Sequence, residues 1–370
     1  MPSPAPRRGV PVVLIAILGA VLVAVGIGLG LFTQFGGAND EAANAAINDL
    51  LERRYNALVA RELDAYMNTI DPARVFLREC ATQRFQAYVR SDVLPQRLSV
   101  GRVEKWGSYF RVWLNTEYGA LRTFMRYDGG RWYISEPFPR ELGERLSKVY
   151  AGVKLHYQAA DESLANVVGE DLVSIMSNVM THAAEPPSAL FELSIATLSD
   201  PGGECFVLGA AENWGMTNIT LNDVRLTAEY DHISRDTAAT IEHEALHWLQ
   251  FDHGSRWKSA PSWWVIEGWP TLLSEPPSPS ERRLAICTSP PSYDDLTYGL
   301  RPGAAVEHVA DAYTVAAMLV ERIVGASGDA AYWRFFDDFG GTTDPYLRAT
   351  GSDGRSFYAA WLEDARRQYC

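Results

Sequence analysis

A pair of histidines four residues apart, in His243-Glu244-Ala245-Leu246-His247, constrains this chain more than any other stretch. On a helix, residues four apart differ by about 40° in azimuth, so both imidazoles leave one face a turn apart. Two nitrogen donors then converge on one tetrahedral cation, and the ligand type suits Zn²⁺. Glu244, beside the first histidine, can reach a metal-bound water without being a ligand itself. The surrounding sequence reads as a helix over 237–252. No Gly or Pro interrupts it, Ile241, Leu246, Leu249 and Phe251 supply apolar positions, and Asp236 with Thr237 can cap its start. The rival reading is a buried amphipathic helix whose histidines only form hydrogen bonds.

The 370 residues leave room for two domains beyond any anchor, and an apolar fraction of 47% with 21% charged residues is that of a globular chain. A net charge of −13 with no block of Lys and Arg argues against nucleic acid as a partner. Val10 to Phe32 forms 23 uncharged, apolar residues, preceded by Arg7 and Arg8 and followed by Asp40 and Glu41. By length and flanking charge this predicts a single transmembrane helix over 10–32, with residues 1–9 cytoplasmic and the bulk of the chain extracytoplasmic at the cell membrane. Four cysteines (Cys80, Cys205, Cys287, Cys370) lack Cys-x-x-Cys spacing, so they predict disulfides rather than a thiolate metal site. Three pairings are open, and Cys205 with Cys287 is favoured because both fall in the second domain.

Residues 40–140 read as an α+β accessory domain. Apolar positions from Ile47 to Ile70 fall on a helical stripe ended by Asp71-Pro72, and a second helix spans 75–89. Strand-like runs follow at Leu98–Trp106, Tyr109–Tyr118, Ala120–Tyr127 and Arg131–Ser135, with Asp128-Gly129-Gly130 as a turn. Helices followed by a meander ending in Asp-Gly-Gly-Arg-Trp-Tyr resemble the cone-shaped nuclear transport factor 2-like (SnoaL-like) fold. No convergent acid and base set is present there, so the expected role is that of a structural or binding accessory.

Residues 137–148, with Pro137, Pro139 and the charged run from Arg140, read as an interdomain segment before a second domain over 150–370. Strands at 153–157, 190–198, 205–209 and 219–226, with a helix at 161–182, precede the histidine helix. Helical periodicity returns at 263–275, 307–324, 330–339 and 356–369. This order resembles a zincin, with an upper β lobe and a helical lower lobe. A catalytic zinc site needs a third protein ligand. Glu267, in Trp263-Trp264-Val265-Ile266-Glu267-Gly268-Trp269, follows His247 after nineteen residues and resembles the third ligand of the gluzincins, the peptidase-MA-like group. The rival is His253, whose spacing is that of a metzincin. The metzincin turn, however, uses Gly where this chain has Gln250, at a cost of about 1 kcal/mol for a non-Gly residue. Pro270 departs from the gluzincin pattern and predicts a late start or a kink in the helix carrying Glu267.

Asp311-Ala312-Tyr313 opening a long apolar helix also resembles gluzincins, in which such a tyrosine donates to the oxyanion. Tyr313 is the match, with Tyr298 and His308 as substitutes. The stretch 357–365 resembles the closing helix of that group.

The resemblance implies a membrane-anchored, outward-facing zinc metallopeptidase of α+β architecture, acting on a peptide or protein substrate. His243, His247 and Glu267 would be metal ligands, Glu244 the general base and Tyr313 an oxyanion donor. The alternatives are a membrane-tethered sensor or scaffold on a zincin fold and a hydrolase of non-peptide substrates. An aminopeptidase Gly-x-Met-x-Asn motif is only approximated by Gly215-Met216-Thr217-Asn218.

Overall fold

A computed structural model of the chain describes residues 41–91, 96–117, 119–195, 209–211, 218–221, 224–254, 261–299, 306–339 and 345–370. The first helix, α1 over 41–59, buries Ile47, Leu50 and Leu51 against Val112, Leu114 and Met125 of a sheet. The helical stripe expected to run on to residue 70 breaks at Arg61. There the backbone turns left-handed (φ 58°), the Glu62 N–H donates to the Ala57 carbonyl and the Arg61 N–H to that of Leu58. This is a Schellman cap with Arg in the position usually held by Gly, so composition gives no warning of it. Two further helices follow, α2 (Leu63–Met67) and α3 (Val75–Ser91).

The first sheet is an antiparallel meander of β1 (Ser99–Trp106), β2 (Tyr109–Thr116), β3 (Gly119–Asp128) and β4 (Arg131–Ser135). The second sheet begins with β5 (Arg145–Tyr150), in the stretch read from sequence as an interdomain segment. It pairs antiparallel with β6 (Val153–Gln158) through Ala151-Gly152, both at positive φ, the backbone of a tight two-residue hairpin. Its charged, outward residues hid the strand, because an edge strand with one exposed face need not be apolar. Then come α4 (Glu162–Thr181), β7 (Phe191–Ile195), β8 (Gly209–Ala211) and β9 (Asn218–Leu221). The sheet order is β5-β6-β7-β9-β8, with β8 antiparallel at the end. The short β10 (Arg225–Leu226) leaves that sheet and pairs with Leu121 and Ala120 of β3. Trp113 and Ala120 of the first sheet accordingly share one core with α4 and the second sheet.

The long helix α5 (Arg235–His253) follows, then the helices α6 (Trp263–Ser274), α7 (Pro279–Cys287), α8 (Tyr293–Tyr298), α9 (Val306–Val324), α10 (Gly328–Asp338), α11 (Pro345–Thr350) and α12 (Gly354–Tyr369). Capping boxes start α7 (Ser278 with Glu281) and α8 (Ser292 with Asp295), two helices not read from hydrophobic period. Trp264, Trp269, Tyr332, Trp333 and Phe336 fill the helical core, with Trp269 stacked on Tyr332 at 4.6 Å.

Two expectations are corrected. Among the described residues no helix is long and apolar enough to cross a membrane. The stretch 10–32 lies outside the described residues, and the single-pass transmembrane helix and membrane localisation drawn from it are withdrawn. The described helices show why none could serve. α4 has the length but carries Glu170 and Asp171 at its middle, α9 carries Glu307, Asp311, Glu321 and Arg322, and the most apolar, α6, has 12 residues where a span needs about 20. The favoured Cys205–Cys287 pairing also fails, because Cys287 is bonded to Cys370, which closes an 83-residue separation around the helical lobe. The Cα atoms of that pair lie 5.7 Å apart, since α12 packs on α7. Chain-entropy arguments give a bridge over that span about 4.5 kcal/mol. Replacing both Cys287 and Cys370 with Ser should therefore lower unfolding free energy in urea by about 2–5 kcal/mol, and an unchanged midpoint would show the tether is dispensable.

Candidate metal centre

Helix α5 starts two residues earlier than the sequence suggests. Ser234 is its N-cap and accepts from the Thr237 N–H at 3.2 Å. Helix α6 lies against α5, and together they bring three ligand atoms to one point. His243 Nε2 and His247 Nε2 are 3.1 Å apart, His247 Nε2 and Glu267 Oε2 3.1 Å, and His243 Nε2 and Glu267 Oε2 3.3 Å. Four ligands at about 2.0 Å from a tetrahedral ion are about 3.3 Å from one another. The three separations thus form one face of such a tetrahedron. The His243-His247-Glu267 group can hold a metal ion, and among the described residues it is the one such group.

The hydrogen-bond directions sharpen this fit. Gln250 is fully buried, three residues after His247 and on the same face of α5. Its amide nitrogen donates to the Ile266 carbonyl at 2.9 Å and to the Tyr332 hydroxyl at 2.6 Å, while that hydroxyl donates to the Val265 carbonyl at 3.1 Å. The amide oxygen therefore faces His247 Nδ1 at 2.8 Å and must accept its proton. In neutral His247 the lone pair then sits on Nε2, pointed at a carboxylate oxygen 3.1 Å away. Two acceptors face each other, and positive charge between them is required.

A proton serves when no ion is present. Burial works to lower the His247 pKa, but the Glu267 carboxylate outweighs it and pushes the imidazole up to about 9. Burial likewise works to raise Glu267, and the two imidazoles overcome it and hold that carboxyl well below its usual range. His247 and Glu267 expose 6% and 16% of their side chains, so solvent screens this pair little.

Glu244 is 9% exposed, one residue from the first ligand. Its charge reaches both His247 and Tyr313. Tyr313, in the second turn of α9, packs edge-on against Trp263 at 5.0 Å and lies 6.2 Å from the His243 ring. Burial first, and then the carboxylates of Glu267 and Glu244, raise its phenol far above the ordinary range. Tyr313 is thus a proton donor at any working pH. The rival ligand His253 lies elsewhere: its Nε2 meets Asp337 Oδ1 at 2.6 Å, and its ring packs on Trp333. Tyr298 is 84% exposed, and His308 lies 3.9 Å from Asp295.

Gly268 explains the Glu-Gly wording. It sits where α6 crosses α9, and a Cβ there would collide with the backbone of Ala316. Gln250 and Tyr332 were not singled out as site residues from sequence. The signal available for Gln250 was its position three residues beyond His247, the spacing of neighbours on one helix face.

No protein-family model, curated protein or solved structure matches this chain.

Two outcomes follow from this geometry. Gly268→Ala should push α6 off α9, lowering the melting temperature and weakening divalent-metal binding in equilibrium dialysis, whereas equal affinity would mean Glu267 is placed by other contacts. The raised His247 pKa gives the metal-free fold stability that is present below the ordinary value near 6.5 and lost as pH climbs through about 9. The incoming ion must expel that proton, so zinc titration at pH 7.5 in buffers of differing ionisation heat should show about one proton released per ion. No buffer dependence would show that His247 is already neutral.

Proposed function

We propose that this chain is a zinc-dependent peptidase of gluzincin type, with His243, His247 and Glu267 as the metal ligands. The observation that carries the reading is the near-equilateral triangle of ligand atoms, 3.1–3.3 Å on a side, with Glu244 near enough for its charge to act on His247. Two imidazoles and one carboxylate leave the fourth tetrahedral position open, which is the donor set of catalytic rather than structural zinc sites. When bound, zinc supplies Lewis acidity and lowers the pKa of a coordinated water towards about 7.

The remaining work falls to the chain's own side chains. Glu244 accepts a proton from the attacking water and delivers it to the leaving amine. Tyr313, protonated and held by Trp263, donates a hydrogen bond to the oxygen on which charge develops. The substrate is a peptide or protein, and β8 supports this choice. Among the described residues it stands last in the strand order of the second sheet and contacts α5, a position where an extended chain could add along the sheet.

The test is Glu244→Gln, which keeps shape and removes the base. Hydrolysis of a peptide library should fall by at least about 10²-fold while one equivalent of zinc is retained. Undiminished hydrolysis would remove Glu244 from the role of base, and a wild-type protein that holds zinc but cleaves nothing would leave only a metal-binding scaffold.

A further inference from the structure

Pro270 stands in the middle of α6, a position that ordinarily breaks a helix. The sequence predicts a late start or a kink, yet α6 runs unbroken from Trp263 to Ser274. Proline has no N–H, so the carbonyl four residues earlier, that of Ile266, loses its helical donor. That carbonyl is the one Gln250 occupies from α5, at 2.9 Å. Ile266 is the residue just before Glu267, and Gln250 holds Nδ1 of His247 at 2.8 Å. The break in the α6 hydrogen-bond ladder therefore sits where the two ligand-bearing helices are joined.

We propose that Pro270 and Gln250 are a matched pair of positioning residues. The proline frees the Ile266 carbonyl for the glutamine amide, and the glutamine in turn fixes the ring orientation and tautomer of His247. Neither residue touches substrate. The pair locks the ring of one ligand to the backbone beside another, so His247 and Glu267 move as one body. Tyr332 completes the arrangement by orienting the amide, since its own proton is committed to Val265. With any other residue at 270, a helical N–H would compete for the Ile266 carbonyl and loosen the amide. Hydrogen-bond partners behind a ligand ring are commonly worth about 10–100-fold in metal affinity. The inference rests on the metal-site reading above for its affinity readout, and on the metal-free protein for its second readout.

The experiment uses the full chain and three variants. Zinc affinity is measured by competition with a chromophoric chelator, and the ¹⁵N–¹H imidazole spectrum of the metal-free protein reports the shielded Nδ1 proton of His247. Gln250→Leu should weaken zinc 10–100-fold and lose the protected Nδ1 proton. Gln250→Glu keeps an acceptor on Nδ1 but has no N–H for the Ile266 carbonyl, so it should retain the protected Nδ1 proton while still weakening zinc about tenfold. Pro270→Ala should weaken zinc about tenfold and speed exchange of the Nδ1 proton without lowering the melting temperature, because it restores a helical hydrogen bond. Equal zinc affinity and an unchanged imidazole spectrum in Gln250→Leu and Pro270→Ala would overturn the proposal. So would affinity falling only in step with melting temperature, or a Gln250→Glu variant that binds zinc as tightly as wild type. If wild type takes no zinc but the Nδ1 proton still depends on residues 250 and 270, the peptidase reading fails and the positioning pair stands.

Discussion

Everything around the centre of this molecule follows from two acceptors that are made to face each other out of water. The Glu267 carboxylate and the Nε2 lone pair of His247 sit 3.1 Å apart, and the fold tolerates them only with positive charge between. A buried group in that position would ordinarily turn away or be traded for an apolar one. Here neither can turn. His247 is held from behind by Gln250, and the backbone at Glu267 is pressed into place where Gly268 lets α6 approach α9. The helical lobe, the stacked Trp269 and Tyr332, and the Cys287–Cys370 tether serve to keep two helices in that strained company.

The electrostatic consequence is a centre shaped for a cation before any cation arrives. The raised His247 pKa puts a proton in the gap of the metal-free protein, and a metal ion bound there would have to displace it. Glu244 and Tyr313 stand at the rim of this charge, one a base by nature and the other kept protonated by burial and by its carboxylate neighbours. In the proposed reaction, such pairing of groups with opposite proton habits would let one small site perform both halves of a hydrolysis.

Much of the centre was legible in the sequence because its chemistry depends on local spacing. His243, Glu244 and His247 lie on one helix, so period alone aligned them, and Glu267 followed from the Trp-x-x-Glu-Gly segment. Tyr313 came from the start of a long apolar helix in the same way. What escaped was set by tertiary context. Arg61 ends a helix in a left-handed conformation without being glycine, and β5 is an edge strand with charged outward residues. The disulfide partner of Cys287 is decided by how α12 packs on α7, which no spacing rule foresees. Pro270 was readable only as a defect. Its use became visible when the carbonyl it frees was seen to have a taker on another helix.

The strand β10 has a consequence for how the two halves of the chain depend on each other. It is only two residues long, yet it ties β3 of the first sheet to the start of α5: the Arg225 N–H donates to the Thr237 hydroxyl, the Ser234 N–H to the Arg225 carbonyl, and the Arg225 guanidinium pairs with Asp236. The first turn of α5 is thus moored to the first sheet rather than to the second, beside which it runs. The front half acts as a jig for the back half. Lifting the metal-binding part onto another carrier would require carrying the edge of β3 along with it, or supplying a substitute strand for Arg225 and Leu226 to grip.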